Sequence, residues 1–310
     1  MRFLIRQNAK ADIFSTICQN TKLFSENVNL CFEPTRLFIQ TMDGSHVSVI
    51  EIAIPREWFD EYDLGENDAG IVMGISMPML SKVLSTRDKS QKFEVAFDPE
   101  SDKLSIHFTS RDDDTSSVTA AMSALSTSAS VNATTRSQIF DKHFEINTIE
   151  LESDMLQIPE SEYQAEITVS SSHFASLISQ LRLFGDTMDI TCSEEKIMIY
   201  SHTQESGKMA VEMKIEDLTS FAINEGETVE LSYALSYISN MCQFHKVAKE
   251  IQIYLTADSP MKLTYLFGGD NVPGAAGSAN ISMTDDDDNT AASNNMASIS
   301  FYLAPKIQDD

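Results

Sequence analysis

The chain has 310 residues, 42% of them apolar, and its 22 basic and 47 acidic side chains give a formal net charge of −25. That length supports two ordinary domains with ample core. So acidic a balance excludes simple electrostatic adhesion to nucleic acid or to anionic membrane, and no apolar run approaches the roughly 20 residues of a membrane-spanning helix. Only three apolar residues separate Arg2 from Arg6, too few for a signal-peptide core. Cys18, Cys31, Cys192 and Cys242 are scattered without a C-x-x-C pair, which reads as structural thiols in a reducing compartment.

In chain order, Ile13, Phe14, Ile17 and Cys18 share one helical face and predict a helix over 10–22. The alternating runs "LFIQT" and "VSVIEIAI" read as strands. Between them, Asp43, Ser45 and His46 fall within four positions. A catalytic triad draws its members from separate elements, so this stretch reads as a turn with a structural or binding role. A second helix is predicted in "SMPMLSKVL", with Ser76 as N-cap and Pro78 in the first turn. The strands "KFEVAF" and "KLSIHF" follow. Residues 110–138, rich in Ser, Thr and Ala, read as a mobile loop.

The second half repeats this order. A helix is predicted over 172–184 from Phe174, Leu177, Ile178 and Leu181, followed by the strands "IMIYS" and "MAVEMKI". A further helix is placed from Ser232 in "SYALSYISNM", and the strands "EIQIYL" and "KLTYLF" follow. Residues 268–297 read as a second mobile loop, whose "DDDD" at 285–288 lacks the Gly and Glu of a calcium-binding EF-hand loop. Shifting the chain by 160 residues superposes Phe14 on Phe174, Leu23 on Leu183 and Phe38 on Met198 without a gap. Further on the offset drifts, to 155 for Leu80 with Leu235 and 159 for Leu104 with Leu263. A period this long means two similar α+β domains.

No arrangement for catalysis or metal binding emerges. The six histidines show no H-x-x-x-H spacing, and neither a phosphate-binding glycine loop nor a G-x-S-x-G elbow occurs. No cofactor is expected. The helices are unusual in charge: 10–22, 76–86, 172–184 and 232–246 each carry +1, while the rest of the chain is acidic. One surface is thus kept free of acid.

The segments "FIQTMDGSHVSVIEI", "MLSKVL", "LQIPESEYQAEITVSSSHFASLISQLRLFGDTMDITCSEEKIMIYS", "YALSYI" and "FYLAPKIQDD" resemble the proliferating cell nuclear antigen family, the eukaryotic-type sliding clamps, over nearly the whole chain outside the two loops. The resemblance implies the DNA clamp fold, with clamp domains at 1–147 and 164–310 joined by a connector at 148–163, and three chains closing a ring. It implies a non-enzymatic processivity factor that encircles duplex DNA, is placed there by an ATP-dependent loader, and recruits DNA polymerase, ligase and flap nuclease through PIP-box peptides. It places the protein in the nucleus, or in a viral replication compartment, and assigns it no membrane role.

By the same resemblance Lys10, Lys22, Lys82, Arg182 and Lys246 face DNA. Ser15, Thr16, Ser176, Ser179 and Leu183 stand where relatives often carry basic residues, so weak DNA affinity is expected. Met42, His46, Val47, Leu156, Ile158, Pro260, Tyr302, Ala304 and Pro305 are expected to form the partner-peptide groove, with His46 at its rim. Phe144 and Ile146 of one chain, with Met209 and Val211 of the next, are expected at the subunit junction. Glu194 takes the place of a lysine modified in relatives, which puts ubiquitin-type control in doubt. Two other readings stay open: a peptide-binding scaffold that never encircles DNA, and a subunit of a heterotrimeric checkpoint clamp.

Overall fold

A computed structural model describes residues 1–65, 69–98, 101–110, 139–152, 155–159, 161–268 and 296–306. The Ser/Thr-rich and Asn/Asp-rich loops predicted from sequence therefore lie almost wholly outside the described residues. Their flanks are in place: Ser110 ends one strand, and Ala297, assigned above to the loop, begins another.

The first domain holds helices α1 (Asn8–Thr21) and α2 (Met77–Leu84) and nine strands. Strands β2 (Asn27–Phe32), β3 (Arg36–Met42), β4 (Ser48–Pro55) and β6 (Ile71–Ser76) are ordered β6-β2-β3-β4. A second sheet, β5-β1-β7-β8-β9, uses β5 (Glu61–Asp63), β1 (Arg2–Ile5), β7 (Gln91–Asp98), β8 (Lys103–Ser110) and β9 (Lys142–Asn147).

The second domain repeats the plan with α3 (Ser171–Leu181) and α4 (Leu235–Met241). Its four-stranded sheet, β15-β11-β12-β13, comprises β15 (Val229–Ala234), β11 (Thr187–Cys192), β12 (Ile197–Thr203) and β13 (Gly207–Met213). Its other five strands, β14 (Ser220–Ile223), β10 (Ala165–Ser170), β16 (Glu250–Leu255), β17 (Met261–Phe267) and β18 (Ala297–Leu303), follow the order of the first domain's five-stranded sheet.

The repeat alone does not reveal how the domains join. β18 pairs antiparallel with β4, from Ser298 opposite Ala53 to Leu303 opposite Ser48, fusing four strands of one domain to five of the other in a nine-stranded sheet. The equivalents of β18 and β4 are β9 and β13, which end their sheets: each pairs on one side, with β8 and β12, and on the other has no strand partner among the described residues. Unpaired strand edges invite further pairing.

Packing explains why the helices lie where they do. Ile13, Phe14, Ile17 and Cys18 of α1 are buried, as are Phe174, Ile178 and Leu181 of α3, each set at helical spacing over a sheet. Ser76 holds the N-cap position and Pro78 the first turn of α2, as expected, although the Ser76 hydroxyl makes no capping hydrogen bond among the described residues. Ser232 does not start α4. It is a strand residue opposite Asp189, to which its hydroxyl donates at 2.5 Å, and the helix begins three residues later at Leu235. The run "VELSYA" buries Val229 and Tyr233 and so continues as strand. Residues 71–76 consequently match 229–234, so Met77 rather than Leu80 is the counterpart of Leu235.

All four cysteines are free and buried, and burial pushes their thiols up, to about 11 for Cys31 and Cys192 and about 12 for Cys18 and Cys242. At neutral pH they are inert apolar side chains.

Candidate functional site

The helices of both domains form one layer. Ser81 of α2 donates to Cys18 O of α1 at 3.4 Å, and Arg182 at the end of α3 donates to Ser239 Oγ of α4 at 2.8 Å. Asn20 of α1 donates to Gln243 O in the turn after α4 at 2.8 Å, which carries the layer across the domain junction.

On this layer Lys22, Lys82 and Lys246 are exposed, with no hydrogen bond or ion pair among the described residues. Arg182 is exposed and keeps the rest of its guanidinium free beside the Ser239 bond. Lys10 differs from these: its ammonium donates to Trp58 O at 2.6 Å and lies 5.5 Å from the Trp58 ring, so one of its three donors is engaged within the fold. Arg87 was missed. Its buried guanidinium pairs with Asp12, the one acid of α1, and removes that acid from the field of the layer. Burial lowers the Arg87 pKa, and Asp12 opposes that shift.

Ser15, Thr16 and Ser179 donate to the carbonyls of Ala11, Asp12 and Ala175, one turn back. Their hydroxyls are therefore tied to their own helices. The layer presents a few separated cations on a neutral ground.

The stretch around Asp43 is a knot of hydrogen bonds. The Asp43 carboxylate accepts from the amides of Ser45 (2.8 Å), Val47 (2.9 Å) and Ser48 (2.5 Å) and from the Ser48 hydroxyl (3.0 Å). Burial alone raises its pKa, but these four donors outweigh that and hold it below the usual carboxylate range. His46, at φ 59°, caps the turn with its ring in solvent, and among the described residues that ring makes no hydrogen bond. The turn reading holds.

An open cavity of about 400 Å³ lies beside this turn, lined by Met42, His46, Leu156, Gln40, Cys31, Leu151 and Met155 among others. It gathers only three of the nine groove residues predicted from sequence. The other six lie at the ends of β4, β17 and β18 and in the connector. Ala304 N donates to Val47 O at 3.1 Å, Tyr302 lies opposite Val49, and exposed Pro260 marks the turn into β17. Ile158 is half-buried in the connector, and Pro305 precedes Lys306, which is pinned to Ser232 O and Thr187 Oγ1, each at 2.7 Å.

The connector is tied to the sheet by residues that sequence reasoning missed. The Gln40 amide donates to Leu156 O at 2.8 Å and accepts from Leu156 N at 2.7 Å, holding the connector as a β-bridge would. Gln40 also donates to Glu51 at 2.9 Å, and Glu51 accepts from the Tyr302 hydroxyl at 3.2 Å. Burial and the neighbouring Glu51 both push the Tyr302 phenol up. At the far end of the connector, Ser161 donates to Ser259 Oγ at 3.0 Å, and the Tyr163 ring lies 5.2 Å from Tyr254. No sequence signal marks these partners, because each is remote in the chain from the connector residue it holds.

The four junction residues divide. Phe144, Met209 and Val211 are half-buried on the edge strands, whereas the Ile146 side chain is 5% exposed within its own core, so only its backbone edge is free. Among the described residues no group of three His, Cys, Asp or Glu side chains is arranged to hold a metal ion, and no helix is long and apolar enough to cross a membrane.

Residues 4–130 match the family model of the proliferating cell nuclear antigen N-terminal domain, and residues 157–270 match that of its C-terminal domain. The chain is 22% identical over 306 residues to a proliferating cell nuclear antigen of Chaetomium thermophilum, covering 97% of each protein. It is 24% identical over 270 residues to a DNA polymerase sliding clamp of Methanococcus maripaludis, covering 83% of this chain and 95% of that one.

Proposed function

The chain belongs to the proliferating cell nuclear antigen family, and from that premise we propose that it is a DNA sliding clamp: three copies close a ring around duplex DNA and tether a polymerase to it. The observation that carries this reading is the paired junction of β18 with β4, set against the unpaired state of their equivalents β9 and β13. An edge that is paired inside the chain at one repeat and open at the other is what a ring of repeated domains requires. Pairing β9 of one copy with β13 of the next repeats the internal junction and leaves no open edge of that kind.

The helix layer then lines the bore. A ring holds DNA by topology, so phosphate contacts need not be strong, and tight ones slow sliding. Lys22, Lys82, Lys246 and Arg182 supply a few cations that contact phosphates directly or through water. The acidic remainder of the surface repels DNA from the wrong face.

Partners dock on the outer sheet, where the connector straps Met42, His46 and Leu156 on one side and the Tyr302 wall lies on the other. That surface suits a short helical turn with aliphatic and aromatic anchors, the PIP-box peptide of polymerases, ligases and nucleases. An ATP-dependent loader opens the ring, and the site of action is the replicating DNA of the nucleus or of a viral compartment.

Native mass tests the assembly. Light scattering at micromolar concentration is expected to give three 34.5 kDa chains, and Met209→Glu on the edge of β13 is expected to give folded single chains. A wild-type protein that stays a monomer overturns the ring and favours a peptide-binding scaffold.

A further inference from the structure

One cation stands apart on the outer face of the nine-stranded sheet. Lys262 of β17 lies between two tyrosines on neighbouring strands, its ammonium 5.5 Å from the Tyr254 ring and 5.9 Å from the Tyr302 ring. Both distances sit near the outer limit of cation–π attraction, and among the described residues the ammonium has neither a hydrogen bond nor an ion pair. Its three N–H donors are therefore open to a ligand.

The neighbouring acids are engaged or set back. Glu51 is occupied by Gln40 and the Tyr302 hydroxyl, and Glu166, exposed, lies on the far side of Tyr254 as its cross-strand neighbour. Across the strands the row runs Glu166, Tyr254, Lys262, Tyr302, and Glu51 stands diagonally beside its last member, held by the Tyr302 hydroxyl. A carboxylate fits at the centre of this row and is repelled at either end.

We propose that Lys262 determines partner specificity: the groove takes a docking peptide that places one carboxylate between the Tyr254 and Tyr302 rings, beside its aromatic anchors. This inference rests on the partner-groove reading above. Charge complementarity carries it, because in a chain with net charge −25 an unpaired cation set between two aromatic rings is the feature that an acidic peptide needs and a basic one does not. The aliphatic stem lies along the rings while the head group stays in solvent, so the contact forms without burying an unpaired charge.

The test uses synthetic PIP-box peptides in pairs differing by Asp against Asn, stepped through the positions between and beside the anchors. Binding is read by fluorescence anisotropy at low and high salt, on the wild-type protein and on Lys262→Met and Lys262→Glu, each first checked for ring mass. At one position Asp is expected to bind wild type about two- to fivefold more tightly than Asn, as for a partly exposed ion pair. Raising salt should shrink that ratio. Lys262→Met should bring it to about one, and Lys262→Glu should invert it. Asp and Asn peptides binding equally at every position, or a preference that survives Lys262→Met, overturns the inference while leaving the groove standing. Failure of every peptide to bind wild type overturns the groove reading and this inference together.

Discussion

Gly74 sits under the connector where a methyl group does not fit. A Cβ there would lie 2.2 Å from Ile149 O and 2.8 Å from Leu151 Cγ, whereas ordinary contact begins near 3.4 Å. The nearer obstacle is backbone, which cannot rotate away, so Gly74→Ala must lift the connector by about 1 Å. That lift breaks the bond from Ile149 N to Gly74 O, 2.9 Å long, and draws Leu151 from its place over Gly74. The bond is worth about 1 kcal/mol net, and with partial loss of the Leu151 contact the local cost is about 1–2 kcal/mol. An opening equilibrium shifted by that amount changes about 5- to 30-fold. Hydrogen exchange read by mass spectrometry is the assay: amides of 148–159 should exchange faster by that factor, while β2, β3 and β4 stay protected. Connector exchange at the wild-type rate in Gly74→Ala would refute the claim that this strap is held by close backbone approach.

Gln40→Ala removes both bonds to Leu156 and one to Glu51. All are near solvent, so about 1–2 kcal/mol of connector positioning is lost, seen as roughly tenfold weaker peptide binding at unchanged ring mass; full affinity would contradict the clasp. Asp43→Ala deletes four hydrogen bonds at one turn and should lower unfolding free energy by about 2–4 kcal/mol in denaturant titration. Because the folded Asp43 carboxyl titrates below its unfolded counterpart, its stabilisation is full above about pH 4–5 and is lost as pH falls through the folded pKa. The variant should therefore lose less stability on acidification than wild type, and parallel pH curves would count against it. Lys82→Ala should flatten the salt dependence of DNA binding by about one unit per phosphate contact removed; an unchanged slope places Lys82 off the DNA path.

Those residues divide what was legible in the sequence from what was not. The two domains, their helices and most strands were readable because apolar spacing reports which face is buried: Phe14 and Phe174 mark equivalent positions without any structure. Ser232 was misread because a serine ahead of spaced apolar residues suits both a helix cap and a half-buried strand, and α4, seven residues long, is too short to decide between them. Lys10 looked like a free cation because the carbonyl that holds it belongs to Trp58, 48 residues away. The same distance hid Arg87 beside Asp12, Gln40 beneath Leu156 and Lys262 between Tyr254 and Tyr302. Lateral contacts between strands leave no period in a sequence, and the groove is built from them. The pairing of β18 with β4 was hidden for the same reason, yet it is the observation on which the proposed joining of β9 and β13 rests.

Retention on DNA of defined topology tests the central claim most directly. With a clamp loader and ATP, the protein should become bound to a nicked circular duplex, survive a high-salt wash, and leave when a restriction enzyme cuts the circle. Equal retention before and after the cut, or none on the circle, would contradict a ring that holds DNA by enclosing it.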